Sequence, residues 1–242
     1  MCNVHSHEHE HGNHTHEHEH IHQMSSGHNH NHEEAYINVP RLGEKAPHFN
    51  VRTTMGQRLL TDYNGQWLVL FSYDSDFTPV SATELLHFAE YTDRFKALDA
   101  EILAVSSDSI NSHIAWVLSL FTKSGVKIPF PLAADVSGAI SFDYGLVCRA
   151  ENAEQNARCL YIIDNTQTIR FASYYPAKVG RNALEILRVL NALKNFDGTD
   201  MAAPAAWHDG QAGIATAPET VDEAFLNSRN ENRLDSAGTM SS

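Results

Sequence analysis

Three short apolar runs separated by longer stretches of helical periodicity constrain this chain more than any other feature. Trp67–Ser72 (WLVLFS), Glu101–Val105 (EILAV) and Cys159–Asp164 (CLYIID) read as buried strands. Between and after them the apolar positions recur every three or four residues. Leu85, Phe88, Thr92 and Phe95 share one face of a helix over 82–98; Ile114, Val117, Leu118 and Phe121 share a face of the next; Asn182–Leu193 (NALEILRVLNAL) repeats the pattern. Strands alternating with helices predict a sheet flanked by helices, a mixed α/β class. Asp164-Asn165-Thr166-Gln167 has the residues of a hairpin turn, so the following TIRFASYY adds an antiparallel edge.

The two ends are unlike this middle. Residues 1–34 are low in complexity and lack aliphatic periodicity, so burial cannot offset the entropy of ordering them, and a disordered arm is expected. The polar run NSRNENRLDSAGTMSS predicts a loose tail over 227–242. The region 197–226 holds Pro204, Trp207 and Pro218 with little periodicity and cannot build a core alone. It must pack on the main domain, 35–196, or on another subunit.

Thirty Asp and Glu against seventeen Lys and Arg give a formal charge of -13, which argues against nucleic acid or an anionic membrane as a partner. No run reaches the roughly 18 apolar residues of a membrane helix, and the His- and Glu-rich start differs from the basic-then-apolar start of a signal peptide. A cytoplasmic location is the resulting expectation. Cys2, Cys148 and Cys159 form an odd set without CxxC spacing, which indicates neither a disulfide framework nor a thiolate zinc knuckle.

Several stretches, in order, carry a resemblance: GEKAPHFNVRTTMGQ from Gly43, SDFTPVSATEL from Ser75, DSINSHIAWV from Asp108, KIPFPLAAD from Lys127, NARCLYIID from Asn156, YYPAKVGRNALEILR from Tyr174 and PAAWHDG from Pro204. Together they resemble a peroxiredoxin of the long, 1-Cys-like branch over about residues 40–210. The resemblance implies a thioredoxin-like α/β fold, a lineage of hydroperoxide reduction with an external thiol reductant, and no required cofactor. It also implies that the arm at 197–226 packs on a partner subunit in a homodimer or a ring of dimers. By position, Thr78 matches that family's substrate-contacting threonine and Glu84 its structural glutamate. Arg158 matches the arginine that stabilises the thiolate, and Arg181 a second active-site arginine.

The family loop usually reads HPxDFTPVCTTE. Here the histidine is Tyr73, the proline is Asp74, and the reactive cysteine is Ser81. Sulfur chemistry does not transfer to that hydroxyl. A thiol ionises near 8.5, and a helix N-terminus with an arginine lowers it further. A group ionising even at about 10 would need roughly 4 kcal/mol to reach neutrality, whereas a helix terminus supplies at most about 2 kcal/mol. No G-x-S-x-G elbow marks a serine-hydrolase site. Ser81-Ala82-Thr83-Glu84 instead fits a capping box, with Ser81 as the cap. Asp74 would place a carboxylate where a thiolate should form, which raises a thiol pKa. Cys159 should point away from Arg158 because neighbouring strand residues alternate faces. A serine at position 81 can reflect natural divergence or a deliberate replacement; the simultaneous loss of histidine and proline favours divergence.

Twelve of the sixteen histidines lie in the arm: His5, His7, His9, His11, His14, His16, His18, His20, His22, His28, His30 and His32. They mostly alternate with Glu, Ser, Thr or Asn, which in an extended chain puts imidazoles on one side. Imidazole suits zinc, nickel and copper, so the arm is a candidate metal ligand set, with Cu²⁺ expected to bind tightest. The sequence therefore carries three functional readings: a catalytically impaired peroxiredoxin relative, an active peroxidase represented as a serine variant, and a metal-binding or storage protein.

Overall fold

The computed structural model describes residues 39–146, 158–218 and 220–222. The histidine arm, Cys2, Cys148 and the tail at 227–242 lie outside these residues. In chain order the elements of the main domain are β1 (Asn50–Thr53), β2 (Gly56–Leu59), β3 (Trp67–Ser72), α1 (Pro79–Glu90), α2 (Thr92–Ala97), β4 (Ala100–Ser106), α3 (Ile110–Ser124), β5 (Leu132–Ala134), α4 (Ala139–Asp143), β6 (Arg158–Ile163), β7 (Ile169–Tyr175) and α5 (Ala183–Phe196). Seven strands form one sheet in the order β2-β1-β5-β4-β3-β6-β7.

The three predicted apolar runs occupy its centre. β3 pairs in parallel with β4 and antiparallel with β6, so both of its edges are filled by other apolar strands. Alternation along β3 then divides the core. Trp67, Val69 and Phe71 face a cluster with Leu85, Phe88 and Phe95 of α1 and α2, Trp116 and Leu120 of α3, and Ile186 and Leu190 of α5. Leu68 and Leu70 face the other cluster, with Phe49, Leu60, Ile140 and Tyr144. The hairpin expected at 164–167 joins β6 to β7, with Gln167 at φ 63, and leaves β7 as a sheet edge.

Local signals set the helix ends. The Ser109 hydroxyl accepts from the Ser112 N–H at the start of α3, and Gly125, at φ 73, closes it in the left-handed region that favours glycine. Asn182 caps α5 in the same way, accepting from the Leu184 N–H. The helix expected over 82–98 is two helices that turn at Tyr91; its predicted face holds, since Leu85, Phe88, Thr92 and Phe95 are all buried.

The face predicted for α3 does not hold. Of its four residues only Val117 packs, partly buried, on the core; Ile114, Leu118 and Phe121 are 52%, 63% and 49% exposed, while His113, Trp116 and Leu120 are buried. The helix is turned so that its largest apolar side chain enters the core and His113 meets the buried Asp76. An apolar stripe is thereby left on the outer surface.

After α5 the chain forms a two-stranded ribbon, β8 (Met201–Ala202) and β9 (Ile214–Ala215). Trp207 is buried on α5 of its own chain, its ring 5.3 Å from that of Phe196 and its carbonyl accepting from Arg188. Met201, Ile214 and Val221 of this segment are exposed.

Truncation on the two sides of α3 separates the observed packing from the periodicity reading. Trp116→Ala should cost about 3–5 kcal/mol, and Leu118→Ser no more than about 0.5 kcal/mol, read from urea midpoints at equal slopes. Equal losses would return the core face to Leu118.

Candidate active site

Four segments converge beyond the C-terminal end of β3. Asp74 lies just past β3; Thr78, Ser81 and Glu84 belong to the start of α1; Arg158 opens β6; Arg181 sits in the loop before α5. All five residues matched by the sequence resemblance are therefore brought together.

α1 begins three residues earlier than the capping-box reading placed it. Pro79 occupies the first helical position, where its fixed φ suits the helix and its missing N–H has no partner to lose. Thr78 is thus the N-cap, and Ser81 is the third helical residue, fully buried. Neither Ser81 nor Glu84 caps the helix, because both side chains turn inward to ionic partners. The Glu84 Oε1 atom accepts from the Arg181 main-chain N–H and Nε, both at 2.7 Å. Its Oε2 accepts from Arg181 Nη2 at 2.7 Å and Arg158 Nη1 at 2.8 Å. One buried carboxylate thus binds two buried guanidinium groups. The remaining donors are also placed: Arg181 Nη1 reaches the Cys159 carbonyl and Arg158 Nε the Ala177 carbonyl, each at 2.7 Å. Arg181 also stacks over Phe71, with Cζ 4.8 Å from the ring centre.

Glu84 and the two arginines carry a net charge of +1. Asp74 supplies the balancing negative charge. Its Oδ1 accepts from the Ser81 hydroxyl at 2.5 Å and the Ser75 N–H at 2.8 Å, and pairs with Arg158 Nη2 at 3.1 Å. Thr78 Oγ1 lies 3.0 Å from the same oxygen and 2.8 Å from both Ser81 Oγ and the Ser75 carbonyl; its single proton can serve only one of the three. Burial pushes the Asp74 carboxyl up. The hydrogen bonds from Ser81, Ser75 and Thr78 and the Arg158 charge outweigh that and hold it below the usual carboxylate range. Ser81 donates to Asp74 and accepts from Arg158 Nη1 at 3.2 Å. Its hydroxyl is fully engaged and faces an anion, so it is not poised to attack anything.

Behind this site lies a second buried cluster that the sequence reading missed. His113 Nδ1 meets the Asp76 carboxylate at 2.9 Å, and its Nε2 meets the Ala133 carbonyl at 3.2 Å. Two acceptors on opposite ring nitrogens are both satisfied only when both nitrogens carry protons. Tyr73 donates to Asp76 Oδ1 at 3.0 Å. Burial, then the Asp76 charge, raises the Tyr73 phenol well above its ordinary value, so it remains a donor. Tyr73 thus stands where the resemblance expects histidine, and α3 brings an imidazole to it from 40 residues away. The cluster holds a loop whose Phe77 has φ 61, a costly backbone for a bulky side chain. The Asp76 N–H also binds Asp108 at 2.9 Å. His113 within DSINSHIAWV and Asp76 within SDFTP were the available signals, but nothing local links them.

Cys159 points away from Arg158 into the opposite core cluster, as strand alternation predicts. Cys148 lies outside the described residues. Among the described residues no group of three or more His, Cys, Asp or Glu side chains could hold a metal ion, and no helix is long and apolar enough to cross a membrane.

Glu84→Gln leaves two guanidinium groups buried without their shared anion and should cost about 3–5 kcal/mol of stability. Asp197→Asn, which removes an exposed partner of Arg170, should cost no more than about 1 kcal/mol. Urea unfolding followed by circular dichroism measures both; a small loss at Glu84 would mean that water reaches the cluster.

The AhpC/TSA family model matches residues 42–172. A peroxiredoxin of Thermoplasma volcanium is 44% identical over 185 residues, covering 76% of this chain and 90% of its own. Among solved structures, a cysteine-to-serine mutant of the peroxiredoxin 6 of Arenicola marina superposes with a TM-score of 0.70 at 32% identity, over 77% of this chain and 88% of that one. A yeast mitochondrial 1-Cys peroxiredoxin, solved to study thiol resolution through glutathione and thioredoxin systems, gives 0.71 at 30% identity, over 78% and 92%. With the family model matched over residues 42–172 and relatives at this identity, the chain belongs to the AhpC/TSA family of peroxiredoxins.

Proposed function

We propose that this peroxiredoxin no longer reduces peroxides and works through its fold and assembly, as a scaffold, sensor or binding partner in redox homeostasis. The observation that carries this reading is the position of Ser81 Oγ: fully buried at the first turn of α1, within reach of Arg158, and donating to a carboxylate. Peroxide reduction needs an ionised sulfur that takes one oxygen and becomes a sulfenic acid. Neither the helix terminus nor Arg158 brings a serine hydroxyl near ionisation at neutral pH, and the Asp74 carboxylate that faces it, held below the usual carboxylate range, is too weak a base to take its proton.

Assembly as a homodimer or ring of dimers in the cytoplasm is part of the same proposal. Two features support it. β7 is a sheet edge, paired on its outer side at Ile169 by residues 43–44, and α3 shows solvent an apolar stripe of Ile114, Leu118 and Phe121. The segment 197–226 is proposed to reach the partner through its exposed residues, since Trp207 is used within its own chain.

The unmodified protein should show no peroxide-dependent NADPH oxidation above the uncatalysed rate when supplied with thioredoxin or glutathione systems. Any turnover above that rate would end the proposal. The competing reading, an active peroxidase represented as a serine variant, requires Ser81→Cys alone to form a sulfenic acid rapidly with hydrogen peroxide.

A second reading is favoured by a separate observation, the twelve histidines of residues 1–34. We propose that this arm binds zinc, nickel or copper ions, the alternating imidazoles supplying nitrogen ligands and Glu8, Glu10, Glu17 and Glu19 adding negative charge. Calorimetry with zinc and nickel should show binding to the full chain and none to a chain lacking residues 1–34. Binding should fade as pH falls through about 6.5, where free imidazoles take up protons. Equal binding by the two chains would exclude the arm.

A further inference from the structure

Ser81, Thr78, the Ser75 N–H and Arg158 form a cradle of donors aimed at one point, and that point is occupied by Asp74 Oδ1. We propose that Asp74 is a tethered ligand, its carboxylate filling an oxyanion site that would otherwise accept a small oxygen ligand such as a carboxylate or hydroperoxide. The inference rests on the reading of Ser81 as a replaced cysteine and adds the reason the site is closed.

Three observations carry it. The first is geometric: a hydroxyl, a main-chain N–H and a guanidinium converge on a single carboxylate oxygen from α1, the loop after β3 and β6. Asp74 enters as a short side chain from that loop, and its side chain is only 15% exposed, so it plugs the cradle from the solvent side. The second is charge. Glu84, Arg158 and Arg181 sum to +1, and a neutral hydroxyl at position 81 cannot cancel it. A thiolate at position 81 would. Asp74 therefore delivers the negative charge that the serine lacks, next to the atom that lacks it. The third is exclusivity: a thiolate at position 81 and a carboxylate at position 74 would stand in direct contact with no proton between them, where the Ser81 hydroxyl now donates to Asp74, and with one guanidinium facing both. Like charges that close do not both persist. Ser81 and Asp74 thus act as a coupled pair, and restoring cysteine alone does not reopen the site.

Two readouts test the proposal. Asp74→Ala should bind sodium formate, seen by calorimetry and as a rise in melting temperature over matched sodium chloride, whereas the unmodified protein should not. Formate supplies the missing carboxylate, so this readout needs no catalysis. In the cysteine background, a single pKa unit of like-charge repulsion is tenfold in thiolate population. Ser81→Cys/Asp74→Ala should therefore react with hydrogen peroxide at least about tenfold faster than Ser81→Cys. In that reaction the thiolate sulfur takes the nearer oxygen as the O–O bond breaks, and hydroxide leaves. If Asp74→Ala unfolds, Ser81→Cys/Asp74→Asn replaces it in the comparison, since asparagine keeps the shape and removes the charge. No gain of formate affinity, together with a double variant no faster than Ser81→Cys, would overturn the tethered-ligand proposal. Peroxide turnover by the unmodified protein would overturn only the loss of activity proposed above.

Discussion

The Glu84 carboxylate, held between Arg158 and Arg181, is the interaction on which the rest of this structure hangs. It joins α1 to the first residue of β6 and to the loop that leads into α5. Burying three charges is expensive, and such clusters rarely add net stability over an apolar substitute of the same shape. Their return is in position. Every oxygen of Glu84 has two donors, and Arg181 is further fixed by the Cys159 carbonyl and the Phe71 ring. A rigid guanidinium at Arg158 is the outcome, with Nη1 shared between Glu84 and Ser81 and Nη2 turned to Asp74.

What the chain does with that guanidinium is unlike a redox site. A reactive thiol would leave the arginine facing a titrating group, a costly and activated arrangement. Here each partner is satisfied: Ser81 donates to Asp74, Arg158 pairs with both, and the charges sum to zero. Tyr73, Asp76 and His113 repeat the pattern one layer deeper, with a donor for every acceptor. Sites that keep function commonly violate local rules and are stabilised elsewhere. This one has been brought into agreement with them, apart from the left-handed backbone of Phe77.

Much of the framework was legible because it depends on local pattern. WLVLFS is β3 to the residue, the hairpin at 164–167 lies where its turn chemistry placed it, and α5 begins after its Asn182 cap. The five site residues could be placed by motif order, since the motif encodes where α1 and β6 begin. Failures arose where two local signals competed or where the partner was distant. Pro79 and the Ser81–Glu84 box both mark a helix start, and proline wins because its ring fixes φ whereas the serine has better partners inside. On α3, two stripes offset by a residue are both apolar, 114/117/118/121 and 116/120 with His113; periodicity cannot choose between them. The buried carboxylate that decides is Asp76, 37 residues away. β1, β2 and β5, of three or four residues each, are too short for a pattern to register.

That rotation of α3 ties the outer surface to the site. Turning His113 and Trp116 inward leaves Ile114, Leu118 and Phe121 outward, while Phe77, 58% exposed, sets its ring 6.1 Å from that of Trp116. Phe77 lies between Asp76, which binds His113 of α3, and Thr78, the residue at the N-cap position of α1. The segment Tyr73 to Thr78 thus carries groups of both clusters: Tyr73 and Asp76 meet His113, while Asp74, Ser75 and Thr78 supply the groups around Ser81.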